Sequence, residues 1–310
     1  MFDIDFVIDE AGFQFSKLGP SDIEDALTNF CLLLDAVEQP VAKWSAIWQI
    51  PSVGDQILAD LLFSEGYIDR DLGLLVGASL DRLPDWDETA EVAPLMNLSC
   101  DGVDLSMAPS LALCGLVRAN GGRLGALSTP ASQRSGIVWL RLPEEADPVD
   151  VDVISAVADI SVYWRRVACD DKFTESQVAS LAKSMFPNCV FAAGFFGQFD
   201  RLVGSYLNLL PDVLRHLAAL SDHAPEVWRI RSQNHERIVE MASRAKVECS
   251  PEGPRTHRNV AAMNRRRFEF AGEHVLCEWH TKLEPHRNRI HFAVEGERVY
   301  IGCMIEHFPT

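Results

Sequence analysis

Two imidazoles, a carboxylate and two cations lie close together near the C-terminus: Glu278, His280, Lys282, Arg289 and His291. A pair of histidines is suited to moving protons near neutral pH, because imidazole titrates at about 6.5. A guanidinium matches phosphate oxygens bidentately. Such a set can do metal-free chemistry on RNA. One histidine takes the ribose 2′-hydroxyl proton, Arg289 steadies the charge developing on the phosphorane, and the other histidine protonates the leaving 5′-oxygen. Upstream, Arg255, His257, Arg258 and the run Arg265, Arg266, Arg267 offer cations for a nucleic-acid backbone. That run reads equally as a solvated edge or a protein contact.

Other chemistries are less well served. His280 and His291 with Glu278 or Glu306 would supply nitrogen and oxygen ligands to a metal. No helical His-x-x-x-His or His-Glu-x-x-His pair accompanies them, and no metal or cofactor is expected. A Gly-x-Ser-x-Gly elbow is absent, which removes the usual serine-hydrolase reading. Gly121, Gly122 and Gly125 do not run into Gly-Lys-Ser/Thr and do not open a helix, so they are not a phosphate loop.

Strands must position the polar set. Glu278, His280 and Lys282 alternate with Val275, Cys277 and Trp279; Arg289 and His291 alternate with Ile290, Phe292 and Val294; Val299, Ile301, Cys303 and Ile305 form a third inward row. Adjacent antiparallel strands would gather the five polar residues on one open face. The same alternation describes an ordinary wet sheet face, and both readings stand at this point. Before these strands, 189–193 predicts a strand, and 199–220 a helix with Leu207, Leu210, Leu214 and Leu217 along one side. A second helix is expected over 225–246, then an irregular stretch over 250–264 and a short strand over 268–270. The order β-α-α-β-β-β predicts an α+β module over 188–310, a helical hairpin packed on a three- to four-stranded antiparallel sheet.

With the pattern Arg289-Ile290-His291-Phe292 followed by Val299-Tyr300-Ile301-Gly302, the final 120 residues or so resemble the RelE/ParE-type fold of bacterial toxins. They are also similar to the tails of uncharacterised bacterial proteins associated with mobile elements and phage defence. The resemblance implies an mRNA-cleaving toxin, usually ribosome-dependent, kept quiet by a protein partner. Arg289 and Lys282 match that family's cationic strand residues. The family's tyrosine near the C-terminus has no counterpart, because Tyr300 lies too early.

Residues 1–187 read as an acidic mixed α/β region for regulation or partner binding. Residues 1–200 carry 31 Asp/Glu against 12 Lys/Arg, whereas 201–310 carry 14 against 16, and all nine histidines follow residue 215. This asymmetry argues for two functional regions. Period-two alternation over 2–8 predicts a strand. Its aspartates are better read as a solvated edge than as metal ligands. Ser21–Glu24 has the form of a capping box and opens a helix ending before Pro40. A strand over 42–50, helices over 57–66 and 72–80, an exposed acidic loop at 85–88 and a helix over 111–119 follow. The segments 124–128 and 136–142 are expected to pair, and 151–164 fits helix or strand. A second capping box at Thr174–Gln177 opens a helix to Met185.

With 310 residues, 47% of them apolar, the chain can bury a sizeable core. The fold class expected for the whole is α+β. Eight scattered cysteines, no apolar run long enough to span a bilayer and no leader-like N-terminus suggest a cytoplasmic protein without membrane contact. RNA or the ribosome is the expected target, and an inhibitory protein or nucleoprotein the expected partner. The alternative is a non-enzymatic accessory protein of a multi-component defence system.

Overall fold

The computed structural model describes residues 4–308 except 65, 88, 90, 91, 94, 96–98, 101, 102, 133, 144 and 146. The chain is α+β and divides into two compact units, Met1–Tyr163 and Trp164–Thr310. The division falls earlier than the break expected at 187/188. No helix among the described residues is long and apolar enough to cross a membrane.

In the first unit the elements run β1 (Phe6–Ile8), α1 (Pro20–Ala36), β2 (Val41–Trp44), β3 (Pro51–Val53), β4 (Gln56–Ile57), α2 (Leu58–Phe63), α3 (Arg70–Asp81), β5 (Asp85–Trp86), β6 (Ser99–Cys100), β7 (Val103–Asp104), α4 (Pro109–Ala119), β8 (Gly125–Leu127), β9 (Gly136–Leu140) and β10 (Val149–Ile154), and α5 (Val157–Asp170) straddles the division. The main sheet has the order β5-β2-β1-β8-β10-β9, parallel except for the edge strand β9. Its central strands are short and wholly apolar, as expected for a parallel sheet buried on both faces. The strands expected to pair, β8 and β9, are separated by β10, whose parallel register on β8 matches Ile154 to Leu127.

Several local expectations changed for identifiable reasons. Helix α1 begins at Pro20 behind Gly19, without a side-chain cap, so the Ser21–Glu24 box is already inside the helix. Proline's fixed φ favours the first helical position and sets the start earlier. The box at Thr174 is formed, with Thr174 and Gln177 bonding reciprocally. The strand expected over 42–50 stops at Trp44 and passes into a 3-10 turn over Ile47–Gln49. The ambiguous 151–164 stretch is strand first and helix after. Asp85 and Trp86 form an edge strand rather than a loop. Of the residues in that expected loop and in the N-terminal strand, Phe2, Asp3 and Glu88 lie outside the described residues.

The second unit continues with α6 (Glu175–Ser180), α7 (Ala182–Met185), β11 (Cys189–Phe191), α8 (Tyr206–Ile230), α9 (Asn234–Ala245), β12 (Cys249–Pro251), α10 (Pro254–His257), α11 (Val260–Asn264), β13 (Arg267–Phe270), β14 (Glu273–Leu276), β15 (Trp279–Lys282), β16 (Arg289–Glu295) and β17 (Arg298–Ile305). The five-stranded sheet is ordered β11-β17-β16-β15-β12, antiparallel except for the β11–β17 pair. Helix α8 runs through Pro225, where a second helix was expected to start, and the chain breaks only after Ile230. The 274–276 stretch does not extend β15. It pairs with β13 in a separate hairpin that turns at Ala271 and Gly272, both at positive φ.

Candidate functional site

The β15–β16 register sets His280 opposite His291 and Lys282 opposite Arg289. On the outer side, β12 places Ser250 opposite His280. These residues therefore share a face, as alternation along a strand requires. The other face carries Trp279, Thr281, Ile290 and Phe292 and is closed by α8. Trp228 meets the Trp279 ring at 4.8 Å and the Phe292 ring at 5.8 Å, edge-on. His216 Nδ1 bonds Thr281 Oγ1 on that side, and burial lowers the His216 pKa to about 4. A cavity of about 580 Å³ bordered by Trp228, Arg229 and Arg237 also lies at α8 and α9, away from the paired histidines.

The histidine face is not the open surface expected. His280 is 5% exposed and His291 0%. Residues just beyond β12 and α11 bring two more charged groups onto them. Glu252 follows β12 directly, and its N–H donates to the Glu278 carbonyl at 2.9 Å. Its Oε1 lies 3.5 Å from His280 Nδ1 and 3.9 Å from His291 Nδ1. Arg266, 1% exposed, donates Nε to the same oxygen at 2.8 Å and Nη1 to the Ala262 carbonyl at 2.7 Å. Phe308 closes the cluster, with its ring 4.8 Å from the His291 ring and beneath the Arg266 guanidinium at 4.8 Å.

Electrostatics sort these groups. Burial pushes the Glu252 carboxyl up, but the His280 imidazole and the Arg266 guanidinium outweigh it and hold the pKa down at about 2. Burial depresses His280 below its ordinary value, with Glu252 opposing. Burial, helped by His280 and then by Arg266 and Arg289 and opposed by Glu252, takes His291 down to about 3. The cluster thus sets a carboxylate held low by its neighbours against two imidazoles whose charged forms burial disfavours. His280 Nε2 has Ser250 Oγ at 3.2 Å, and its Nδ1 faces Glu252 Oε1 at 3.5 Å. His280 Nδ1 and both nitrogens of His291 are buried without a hydrogen-bond partner.

The residues singled out from sequence divide accordingly. His280, His291, Arg289 and Lys282 come together; Glu278 does not, since its carboxylate lies 3.7 Å from His257. Arg255, Arg258, Arg265 and Arg267 are exposed, and Arg255 and Arg258 border a surface recess with Asn259. Arg266, expected beside them as a backbone grip, is instead buried on Glu252. Lys282 is half-buried, 3.9 Å from Glu248. Glu252, Ser250 and Phe308 were missed. They lie at or beyond the edges of readable elements: 250–264 is expected to be irregular, whereas Cys249–Pro251 forms a strand, and nothing local ties Ser250 and Glu252 to histidines roughly 30 to 40 positions away.

A second polar cluster lies in the first unit. Asp9 and Glu10 follow β1, Ser128 and Thr129 follow β8, and the chain leaves these neighbouring strands in opposite directions across the sheet. In an open α/β sheet such a divergence is the usual ligand crevice. Here it is filled. Ser128 Oγ donates to Asp9 at 2.8 Å, and Ser110 donates to Glu10 through its N–H at 3.0 Å and its hydroxyl at 2.5 Å. A Cβ on Gly12 would meet Ser128 Oγ at 2.5 Å and Thr129 N at 2.8 Å. Burial raises both carboxyls, Glu10 to about 8, against these hydrogen bonds and, at Asp9, against Arg134 3.7 Å away. The cluster works as a structural lock between β1, β8 and α4. Set against known proteins, the chain matches no family model, no curated protein and no solved structure.

Proposed function

We propose that the C-terminal unit is a toxin-like effector that cleaves RNA at the Glu252–His280–His291 centre, with Arg289 and Lys282 on the scissile phosphate. The observation that carries this reading is the register of β15 on β16, which sets His280 against His291 and Lys282 against Arg289. Proton-moving groups and phosphate-binding cations thereby stand in adjacent rows on one face. Arg289 Nε is buried and has no hydrogen-bond partner, which leaves it a donor for a phosphate oxygen. Exposed Arg255, Arg258, Arg265 and Arg267 would steer the RNA by charge.

In the metal-free form of the reaction, His291, which burial keeps neutral, takes the 2′-hydroxyl proton. The general acid is the imidazolium form of His280, which burial disfavours and Glu252 favours; it gives its proton to the 5′-oxygen as the P–O5′ bond breaks and the 2′-O–P bond forms, leaving His280 neutral and His291 protonated. Access to His291 requires the Phe308 ring to move aside. The likeness to RelE/ParE-type toxins belongs to this proposal, as do a cytoplasmic setting, a ribosomal or free RNA target and an inhibitory partner.

The test is growth arrest on induction together with cleavage of RNA by the purified chain. Arg289→Ala, His280→Ala and His291→Ala should each lower cleavage by a factor of about 100 or more. Undiminished arrest and cleavage in all three would remove the site. The complete burial of His291 favours one other reading, a non-enzymatic accessory protein. That reading predicts co-purification with a protein–nucleic-acid partner and intact RNA.

A further inference from the structure

The geometry points to a metal centre in the second unit: we propose that Glu252, His280 and His291 bind one divalent ion of the Zn2+ class, through a carboxylate oxygen and one ring nitrogen from each histidine. The three ligand atoms lie within 4.8 Å of one another, and Glu252 Oε1 is 3.5 and 3.9 Å from the two Nδ1 atoms. Bonds of about 2.0–2.2 Å at tetrahedral angles put ligand atoms roughly 3.3–3.6 Å apart. Closing the set on an ion takes only small movements of these side chains.

The case stands on what these atoms lack. A carboxylate and two imidazole rings share one buried space, and His280 Nδ1 and both His291 nitrogens have no hydrogen-bond partner. Buried polar atoms are ordinarily satisfied, and a cation would satisfy all three ligands at once. Outer partners of the kind that orient metal ligands are in place. Ser250 holds His280 Nε2 at 3.2 Å, and Arg266 holds Glu252 at 2.8 Å. The Arg266 charge opposes the ion and weakens the site relative to one without it. Mixed imidazole and carboxylate ligands with no thiolate select Zn2+, Co2+, Fe2+ or Mn2+ over Cu+ or Ca2+. Three protein ligands leave a tetrahedral ion a fourth position, where a bound water is acidified to a pKa of about 7. Bound metal would replace the imidazoles as the activating groups, so chelation would then abolish cleavage, whereas the metal-free scheme survives it. The ion site does not rest on the RNA reading: uptake with RNA left intact would remove that reading and keep the site.

The experiment strips the full-length chain with a chelator and titrates it with Co2+ and Zn2+. One equivalent should bind, giving the ligand-field bands of a nitrogen–oxygen Co2+ site without thiolate charge transfer. Zn2+ at about a hundredfold over its Kd should raise Tm by roughly 5 °C. Folded Glu252→Gln and His291→Asn chains should lose at least about tenfold in affinity, while His257→Asn should not change. A second measurement needs no variant. In the 15N-histidine spectrum of the wild-type chain, Zn2+ should shift the ring nitrogens of two of the nine histidines. No stoichiometric uptake, binding unchanged in folded His291→Asn, or shifts at any other pair would overturn the proposal.

Discussion

The two units each bury a carboxylate cluster, and the two behave in opposite ways. Glu10 accepts from Ser110 and from its own backbone N–H beside the neighbouring Asp9, and burial dominates, so its pKa rises to about 8. Glu252 has a guanidinium at 2.8 Å and an imidazole at 3.5 Å, and its pKa falls to about 2. Burial by itself turns a carboxyl into a neutral acid that locks strands together. Burial with a guanidinium bonded at 2.8 Å, closer than the 3.7 Å of Arg134 from the raised Asp9, keeps it an anion, able to orient a base or hold an ion. Burial alone therefore does not mark a functional carboxylate; its counter-charges do. By that measure the cluster of the second unit is the candidate site, although strand alternation alone would make its sheet face a wet surface.

The contrast breaks most sharply at Arg266. Arg266→Met leaves Glu252 buried without its guanidinium and should cost about 3–5 kcal/mol, read from urea unfolding. Glu252→Gln in the same chain should recover much of that loss, because no buried charge remains. A loss below about 1 kcal/mol would show that solvent, not Arg266, keeps Glu252 ionised.

In the first unit the prediction concerns pH. Glu10 binds its proton more tightly folded than unfolded, so the folded state holds more protons between about pH 4.5 and 8. Stability then falls as pH rises through that window, with a limiting slope of about 1.4 kcal/mol per unit. Glu10→Gln should flatten this decline, leaving the chains similar near pH 5 and the variant more stable by about 2–3 kcal/mol near pH 8. Parallel stability curves for the two chains would remove Glu10 as the source.

Gly12→Ala tests whether the first cluster is closed. Its Cβ would strike Ser128 Oγ and Thr129 N, so a loss of about 2 kcal/mol is expected. Adding Ser128→Ala should not restore it, since the Thr129 backbone remains. A neutral Gly12→Ala would mean that the crevice has room for a ligand. The smallest effect is at the cover of the second cluster. Phe308→Ala removes the ring from His291 and Arg266 for about 1 kcal/mol. It should raise the rate at which diethylpyrocarbonate modifies His291 several-fold, measured by peptide mapping.

Part of this site was legible in the sequence. The alternation of His280 and Lys282 with Trp279 and Thr281, and of Arg289 and His291 with Ile290 and Phe292, placed four of the polar residues on one face, and the register agrees. Reading that face as open failed because alternation separates two faces without saying what covers each. Here α8 covers one through Trp228, and Glu252, Arg266 and Phe308 close over the other. Glu278 was read as the carboxylate of the set, and Glu252 was missed, for the same reason. It sits two residues from His280 in sequence, but the chain passes from the β13–β14 hairpin into β15 there, and its side chain meets His257.

What sequence by itself determined was part of the local order: several helices and strands though not all their bounds, which side chains share a strand face, and that the chain is acidic early and histidine-rich late. These follow from periods of two and 3.6 residues and from composition, and they need only neighbours in the chain. Tertiary structure alone decided that β10 separates β8 from β9, that Ser250 and Glu252 meet His280, and that Arg266 turns inward while Arg265 and Arg267 stay exposed. Each depends on strand pairing or on burial at long range, where desolvation and counter-charge are set by partners that no local pattern names.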